Sequence, residues 1–296
     1  MASVLCMISC AEHDADIAPS SDDMVQVQFN VQTLDVDNEP MHAGKRAALH
    51  APGTRAAETD ATPLTDKANK IQYIIINTET GKSYEGTQTA SDAGNDFGTI
   101  KVWIPGGTYK VFFAAFNESG DCTGMLHYPI SSDRKIVPKI KANCDAFSYM
   151  NTSMKITTET NSVDVALNRC VGKVTLRLTD NFPDEIKRVH VYWLACTQIE
   201  MESGKVAGYE NVDADLVVKN GVVDELSYFA MPDDYDMKLT MYDADDAEIG
   251  ETHVKFQIIK NRRTIIHGNL LDVIKQKPFT ITISDDWGTD VDVPLK

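Results

Sequence analysis

The chain has 296 residues, enough for two domains that each bury a core. Its 44 acidic residues outnumber 28 basic ones and leave a formal charge of −16, which repels a phosphate backbone and argues against nucleic acid as a partner. No apolar run reaches the roughly 18 residues that a membrane-spanning helix needs.

The first residues, MASVLCMISC, carry a short apolar run from Val4 to Ile8. Small Ser9 precedes Cys10, the arrangement at which lipoprotein signals are cut and the cysteine is acylated. Polar AEHDADIAPSSDD comes next as a tether. Residues 1–23 are therefore expected to be a signal remnant and tether, with Cys10 lipidated and the membrane reached only through that lipid. The competing reading is an unstructured N-terminus in which Cys6 and Cys10 are incidental.

The stretch MVQVQFNVQTL, residues 24–34, alternates by twos, with Val25, Val27, Phe29 and Val31 on one face and amide side chains on the other. That period marks a strand with one buried face. Burying the four apolar side chains contributes roughly 6 to 12 kcal/mol before ordering entropy is subtracted, so such a strand is not incidental. The adjoining residues 35–69 have no period and are rich in Ala, Thr, Pro and Asp. They include Arg46 and Arg55, each followed by two alanines, in backbone expected to be open to proteolysis. A plain linker accounts for the same composition.

Strands are predicted at KIQYIIIN (70–77), TIKVWIP (99–105) and YKVFFAAFN (109–117), with turns at TETG, GG and ESGD. A less regular part runs from His127 to about residue 160, where Pro129 and Pro138 argue against long elements. A second series opens at SVDVALNRCVGKVTLRLTD and continues through IKRVHVYWLACTQIE, ADLVVKNGVVDEL, YDMKLTMYD, HVKFQIIK, RRTIIHGNLLDVI and FTITISDDW. Helical periodicity is nearly absent, with one turn or short helix expected around DNFPDEIK. The pattern predicts an all-β protein of antiparallel sandwiches, divided into an N-terminal domain over 24–160 and a C-terminal domain over 161–296. Two segments about 125 residues apart look like copies: IPGGTYKVFFAAFNESGDCTG (104–124) and MPDDYDMKLTMYDADDAEIG (231–250). Each has a proline, a short polar turn, a tyrosine-bearing strand and an acidic turn, an order that suits two related domains better than a solenoid.

Chemistry-bearing motifs are sparse. Cys122, Cys144, Cys170 and Cys196 form no C-x-x-C pair; Cys170 and Cys196 sit in apolar runs as buried thiols, while Cys122 and Cys144 lie near loops and could bridge in an oxidising compartment. The histidines have no ligand spacing, and strand residue His190 reads as a hydrogen-bonded side chain. The acidic stretches at 232–236 and 243–248 lack the order of a calcium loop and read as hairpin turns. No nucleophile elbow, P-loop or kinase signature appears, so the expectation is no enzyme, no cofactor and no metal.

Taken together, MISC, the alternating first strand, the arginine-bearing loop, KIQYIIINTETGKSYEG, WIPGGTYKVFFAAFN, ALNRCVGKVTLRL, NRRTIIHGNLL and the terminal TITISDDW resemble the Bacteroidales fimbrillin family, the FimA-like subunits of type V pili. The resemblance spans nearly the whole chain as a pattern and an order of segments. It implies two tandem transthyretin-like β-sandwich domains, export to the cell surface as an outer-membrane lipoprotein or fimbrium component, and cleavage by an arginine-specific protease after the first strand. A neighbouring pilus subunit then supplies a replacement strand, in a homo- or hetero-polymer. On this chain the resemblance implies Cys10 as the lipidated residue, Arg46 or Arg55 as the cleavage site, Val25, Val27, Phe29 and Val31 as the exchanged strand, and Phe279 to Lys296 as the donor. Shaft, tip and anchor roles all stay open. The expected function is thus a structural pilus subunit supporting cell adhesion; the alternative is a monomeric surface lipoprotein that binds a glycan or protein ligand.

Overall fold

The structure, a computed structural model, describes residues 24–33, 64–128, 137–273 and 280–284. In chain order its elements are β1 (Met24–Thr33), α1 (Leu64–Lys67), β2 (Lys70–Asn77), β3 (Ser83–Thr89), α2 (Ala90–Ala93), a 3₁₀ turn at Gly94–Asp96, β4 (Thr99–Pro105) and β5 (Gly107–Asn117). Next come β6 (Gly124–His127), β7 (Lys139–Ala142), β8 (Asp145–Ile156), β9 (Ser162–Arg169), β10 (Gly172–Leu178), β11 (Arg188–Glu200), β12 (Val206–Val217) and β13 (Leu226–Ala230). The last are β14 (Asp233–Tyr242), β15 (Glu248–Ile258), β16 (Arg263–Gly268), α3 (Leu270–Val273) and β17 (Thr280–Ser284). The helices are single turns, so the all-β expectation holds. At DNFPDEIK the chain makes one turn, the Ile186 N–H donating to the Pro183 carbonyl at 3.0 Å.

A first sheet runs β3-β2-β5-β8-β9-β1-β4. Its continuity at the centre is thin, since β8 and β9 pair only through Phe147 with Arg169 and Ser148 with Asn168. Beyond that fork the sheet folds over, so that β9-β1-β4 faces β3-β2-β5-β8 across a core that includes Phe29, Ile71, Ile75, Phe113 and Leu167. Arg169 pins the fork: its guanidinium bonds both Asp145 carboxylate oxygens, at 2.8 and 3.1 Å, and Asn261 Oδ1 at 2.8 Å, and it stacks 4.7 Å from the Phe147 ring.

The second half pairs a four-stranded sheet, β13-β10-β16-β17, with a larger one ordered β15-β14-β11-β7-β6, to which β12 adds on β11. Trp193 sits at its centre, its ring 4.9 Å from Tyr235, 5.5 Å from Phe256 and 5.6 Å from Tyr228. All ladders are antiparallel except β1 with β9 and β10 with β16.

The apolar run of β5 shows how the halves meet. Tyr109, Val111, Phe113 and Ala115 face the first core, whereas Phe112, Ala114 and Phe116 join Ile74 and Ile76 of β2 in the second. One sheet is thus a wall common to both cores. Residue 160 lies in the turn between β8 and β9, where the Thr160 N–H donates to the Thr157 carbonyl, and strand pairing crosses it in both directions: β9 completes the first sandwich and β7 pairs with β11 in the second.

The two similar sequence segments do the same job. Each tyrosine hydroxyl donates to the carbonyl four residues earlier, Tyr109 to Pro105 at 2.7 Å and Tyr235 to Met231 at 2.6 Å. In each half that bond braces the passage from one layer of the sandwich to the other, β4 to β5 and β13 to β14. Asp233 to Asp236 open β14 rather than form a hairpin turn, a correction to the sequence reading of residues 232–236. Residues 243–247 do turn, Asp243 Oδ1 accepting from the Asp245 and Ala247 N–H groups at 2.9 and 2.8 Å.

Candidate functional site

The strand β1 is the candidate site, because it is the segment read from sequence as exchangeable and the structure seats it between two strands of the first sandwich. Its sequence sets the seating. Val25, Val27, Phe29 and Val31 are 9%, 0%, 0% and 7% exposed, while Gln26 and Gln32 face solvent. Phe29 packs 5.3 Å from the Phe113 ring.

On one side β1 runs antiparallel to β4, from Met24 opposite Pro105 to Asn30 opposite Thr99. On the other it runs parallel to β9, from Gln28 opposite Ser162 to Thr33 opposite Leu167. On the outer face, Gln28 Nε2 donates to Asn30 Oδ1 at 2.8 Å, and Asn30 Nδ2 donates to the Asp164 carboxylate at 3.1 Å. β1 bears no charged side chain, so what holds it is backbone pairing and apolar fit, both of which another strand of alternating character could reproduce.

Gly98 fixes the end of the seat. Its carbonyl accepts from the Val31 N–H at 2.7 Å, its φ is +97°, and a Cβ there would stand 2.8 Å from the Val31 carbonyl oxygen. Thr33 Oγ1, at the last residue of β1, is buried without a hydrogen-bond partner among the described residues. Sequence reasoning missed both. The glycine's close approach has no local signal, and the sequence reading of residues 99–105 as a strand assigns it no partner.

The other site residues read from sequence fall differently. Cys10, Arg46 and Arg55 lie outside the described residues. Of the segment 279–296 only β17 is described, an edge strand paired with β16 and leaving Ile281 and Ile283 40% and 39% exposed. All four described cysteines are free thiols; Cys122 is exposed and the other three are buried. Burial pushes the Cys144 and Cys170 thiols up to about 12 and Cys196 to about 11, the inert state expected of the last two. His190 Nδ1 is 2.9 Å from Asp215 Oδ1, a bond that, with Arg188 alongside, holds the Asp215 carboxyl below its ordinary range. Among the described residues no three His, Cys, Asp or Glu side chains are grouped to hold a metal ion. No described helix is long and apolar enough to cross a membrane. A cleft of about 540 Å³ opens at the β8–β9 fork, with Tyr149, Met150 and Asn168 on one wall and Met201 and Lys260 on the other.

The fold defines an all-β protein of two joined sandwiches, with its first described strand seated between β4 and β9. The chain belongs to a protein family of unknown function, DUF6562, whose family model matches residues 21–296. No curated protein matches its sequence. Among solved structures, a candidate polysaccharide-binding protein (DUF1812) from Bacteroides thetaiotaomicron is similar with a TM-score of 0.49 and 7% identity, over 83% of this chain and 92% of that one. A candidate adhesin from Bacteroides ovatus scores 0.47 at 11% identity, over 98% and 95% of the two chains. The C-terminally truncated tip fimbrial protein Mfa3 from Porphyromonas gingivalis scores 0.43 at 11% identity, over 88% and 99%. At such scores and identities these likenesses assign no function.

Proposed function

We propose that the protein is a structural subunit of a cell-surface filament of the fimbrial kind, exported as a lipoprotein through Cys10, and that it assembles by exchanging β1 and supports adhesion. The observation that carries this reading is the seat of β1. The strand fills a slot between β4 and β9 with four apolar side chains and no charge, and it is joined onward only through residues 34–63. Cleavage after Arg46 or Arg55 would leave β1 held by noncovalent contacts alone. A strand from a sister subunit, with alternating apolar residues such as those of 279–296, then takes its place. The resemblance of the sequence to fimbrillins supports the same sequence of events.

The test is limited digestion of the full chain with a trypsin-like protease specific for arginine. The expected products are a chain beginning at Ala47 or Ala56 and a ladder of oligomers that appears only after the cut. A chain that is clipped there but stays monomeric at high concentration, or is not clipped at all, sinks the proposal. The second reading, a monomeric surface protein that binds a glycan or protein, is favoured by the cleft at the β8–β9 fork, and it predicts an undamaged monomer whose ligand binding falls on Tyr149→Ala substitution.

A further inference from the structure

Cys122 lies two residues before β6 and Cys144 two residues after β7, at the same end of the β6–β7 ladder. The ladder between β6 and β7 sets Leu126 opposite Ile140 and Gly124 opposite Ala142. One step further along, the Asn143 N–H donates to the Thr123 carbonyl at 3.1 Å, and the Thr123 N–H donates to Asn143 Oδ1 at 2.6 Å. Carried one more step, the same register brings Cys122 to Cys144, at the bend that leads from β7 into β8. The Cys122 N–H and carbonyl both bond Ser119, at 3.0 and 3.1 Å, so they point away from Cys144. With the register carried one step past the last backbone bond, the two cysteines fall at a non-hydrogen-bonded cross-strand position. Cα atoms at such positions lie about 4.5 Å apart, within the roughly 4.4 to 6.8 Å that a disulfide spans. By the alternation of the two strands, both positions are in phase with the buried residues Gly124, Leu126, Ile140 and Ala142.

We propose that Cys122 and Cys144 form an oxidisable pair that closes into a cross-strand disulfide when the protein meets a disulfide oxidant. The two thiols differ in access, which sets the order of events: Cys122 is exposed, and Cys144 is 1% exposed. The Cys122 thiolate attacks one sulfur of an external disulfide, forming a mixed disulfide and releasing one thiolate, which takes up a proton. Cys144 then gives up its proton and attacks the Cys122 sulfur, expelling the second external thiol. Two protein thiols are oxidised to one disulfide and one external disulfide is reduced to two thiols, so atoms and electrons balance. Burial keeps Cys144 protonated and shielded until Cys122 brings the oxidant's sulfur to it. The bond would close a ring containing β6 and β7, the strands that join the larger sheet of the second half.

The experiment treats the full chain with glutathione disulfide, blocks remaining thiols by alkylation in denaturant, and maps tryptic peptides. The expected product joins peptide 111–134 to peptide 142–155, two hydrogens lighter than their sum, and it disappears on reduction. It is absent from Cys122→Ser, a change at an exposed side chain that leaves the fold intact. The proposal is overturned if Cys122 carries a single glutathione while Cys144 is alkylated, if Cys144 is joined to Cys170 instead, or if neither thiol reacts. None of these results depends on whether β1 is exchanged.

Discussion

If β1 is a separable plug, Phe29→Ala should loosen it without loosening the second half of the molecule. Phe29 is 0% exposed and packs against Phe113, so truncation removes a full aromatic side chain from a closed core and leaves a cavity. Changes of this kind cost about 3 to 5 kcal/mol, a large part of the roughly 5 to 15 kcal/mol that holds a domain folded. Amide hydrogen exchange read by mass spectrometry resolves where the loss falls. If β1 opens by itself, peptides covering 24–33 should exchange on the order of 10²- to 10⁴-fold faster, β4 should follow, and peptides from β10 and β16 should keep their protection. The outward-facing neighbour Gln26 serves as the control, since its replacement by alanine should change little. Equal acceleration in β1, β10 and β16 would refute the reasoning, because the strand would then open only when everything does.

Gly98→Ala should weaken the same seat by about 2 to 4 kcal/mol, combining a left-handed backbone forced on alanine with a Cβ set 2.8 Å from the Val31 carbonyl oxygen, and urea unfolding would measure it. Thr33→Val removes a buried hydroxyl that has no partner among the described residues while keeping the shape, so it should stabilise β1 by about 1 kcal/mol and slow its exchange. Tyr109→Phe and Tyr235→Phe should each cost about 1 to 2 kcal/mol in thermal unfolding, because each leaves a carbonyl four residues earlier without its donor. Alkaline pH should destabilise the protein: the buried thiols of Cys144 and Cys170 ionise near 12 when folded against 9.0 ordinarily, so the unfolded chain loses protons first. Their stabilising contribution is present below about pH 9 and is lost progressively up to about pH 12, a decline that melting temperatures at pH 8, 9 and 10 should begin to trace.

Local patterns carried the elements but not their partners. β2 and β4 match their sequence predictions to the residue because β-branched residues fill them and turn residues close them. β8 was hidden inside the irregular part: DAFSYMNTSMKI buries residues without a steady period of two, since one end lies under Arg169 and the middle is partly open to solvent. β3 has no buried residue at all and so offered no hydrophobic pattern. The alternating residues of β1 announced a buried face, and the structure buries all four. That β1 runs parallel to β9 depends on a pairing more than a hundred positions away in sequence, and nothing local encodes it. The continuous run VFFAAF likewise marked a strand, but its service to two cores depends on which sheets come to lie against it.

In its backbone ladder β4 has β1 as its sole described neighbour. A subunit emptied of β1 would therefore lose its grip on two strands at once, with Trp103 and the apolar underside of β4 cut loose together. If β1 is exchanged as proposed, handover by invasion, the newcomer advancing along the ladder as the old occupant peels back, would keep β4 sewn to the sheet throughout, and an interval of vacancy would not.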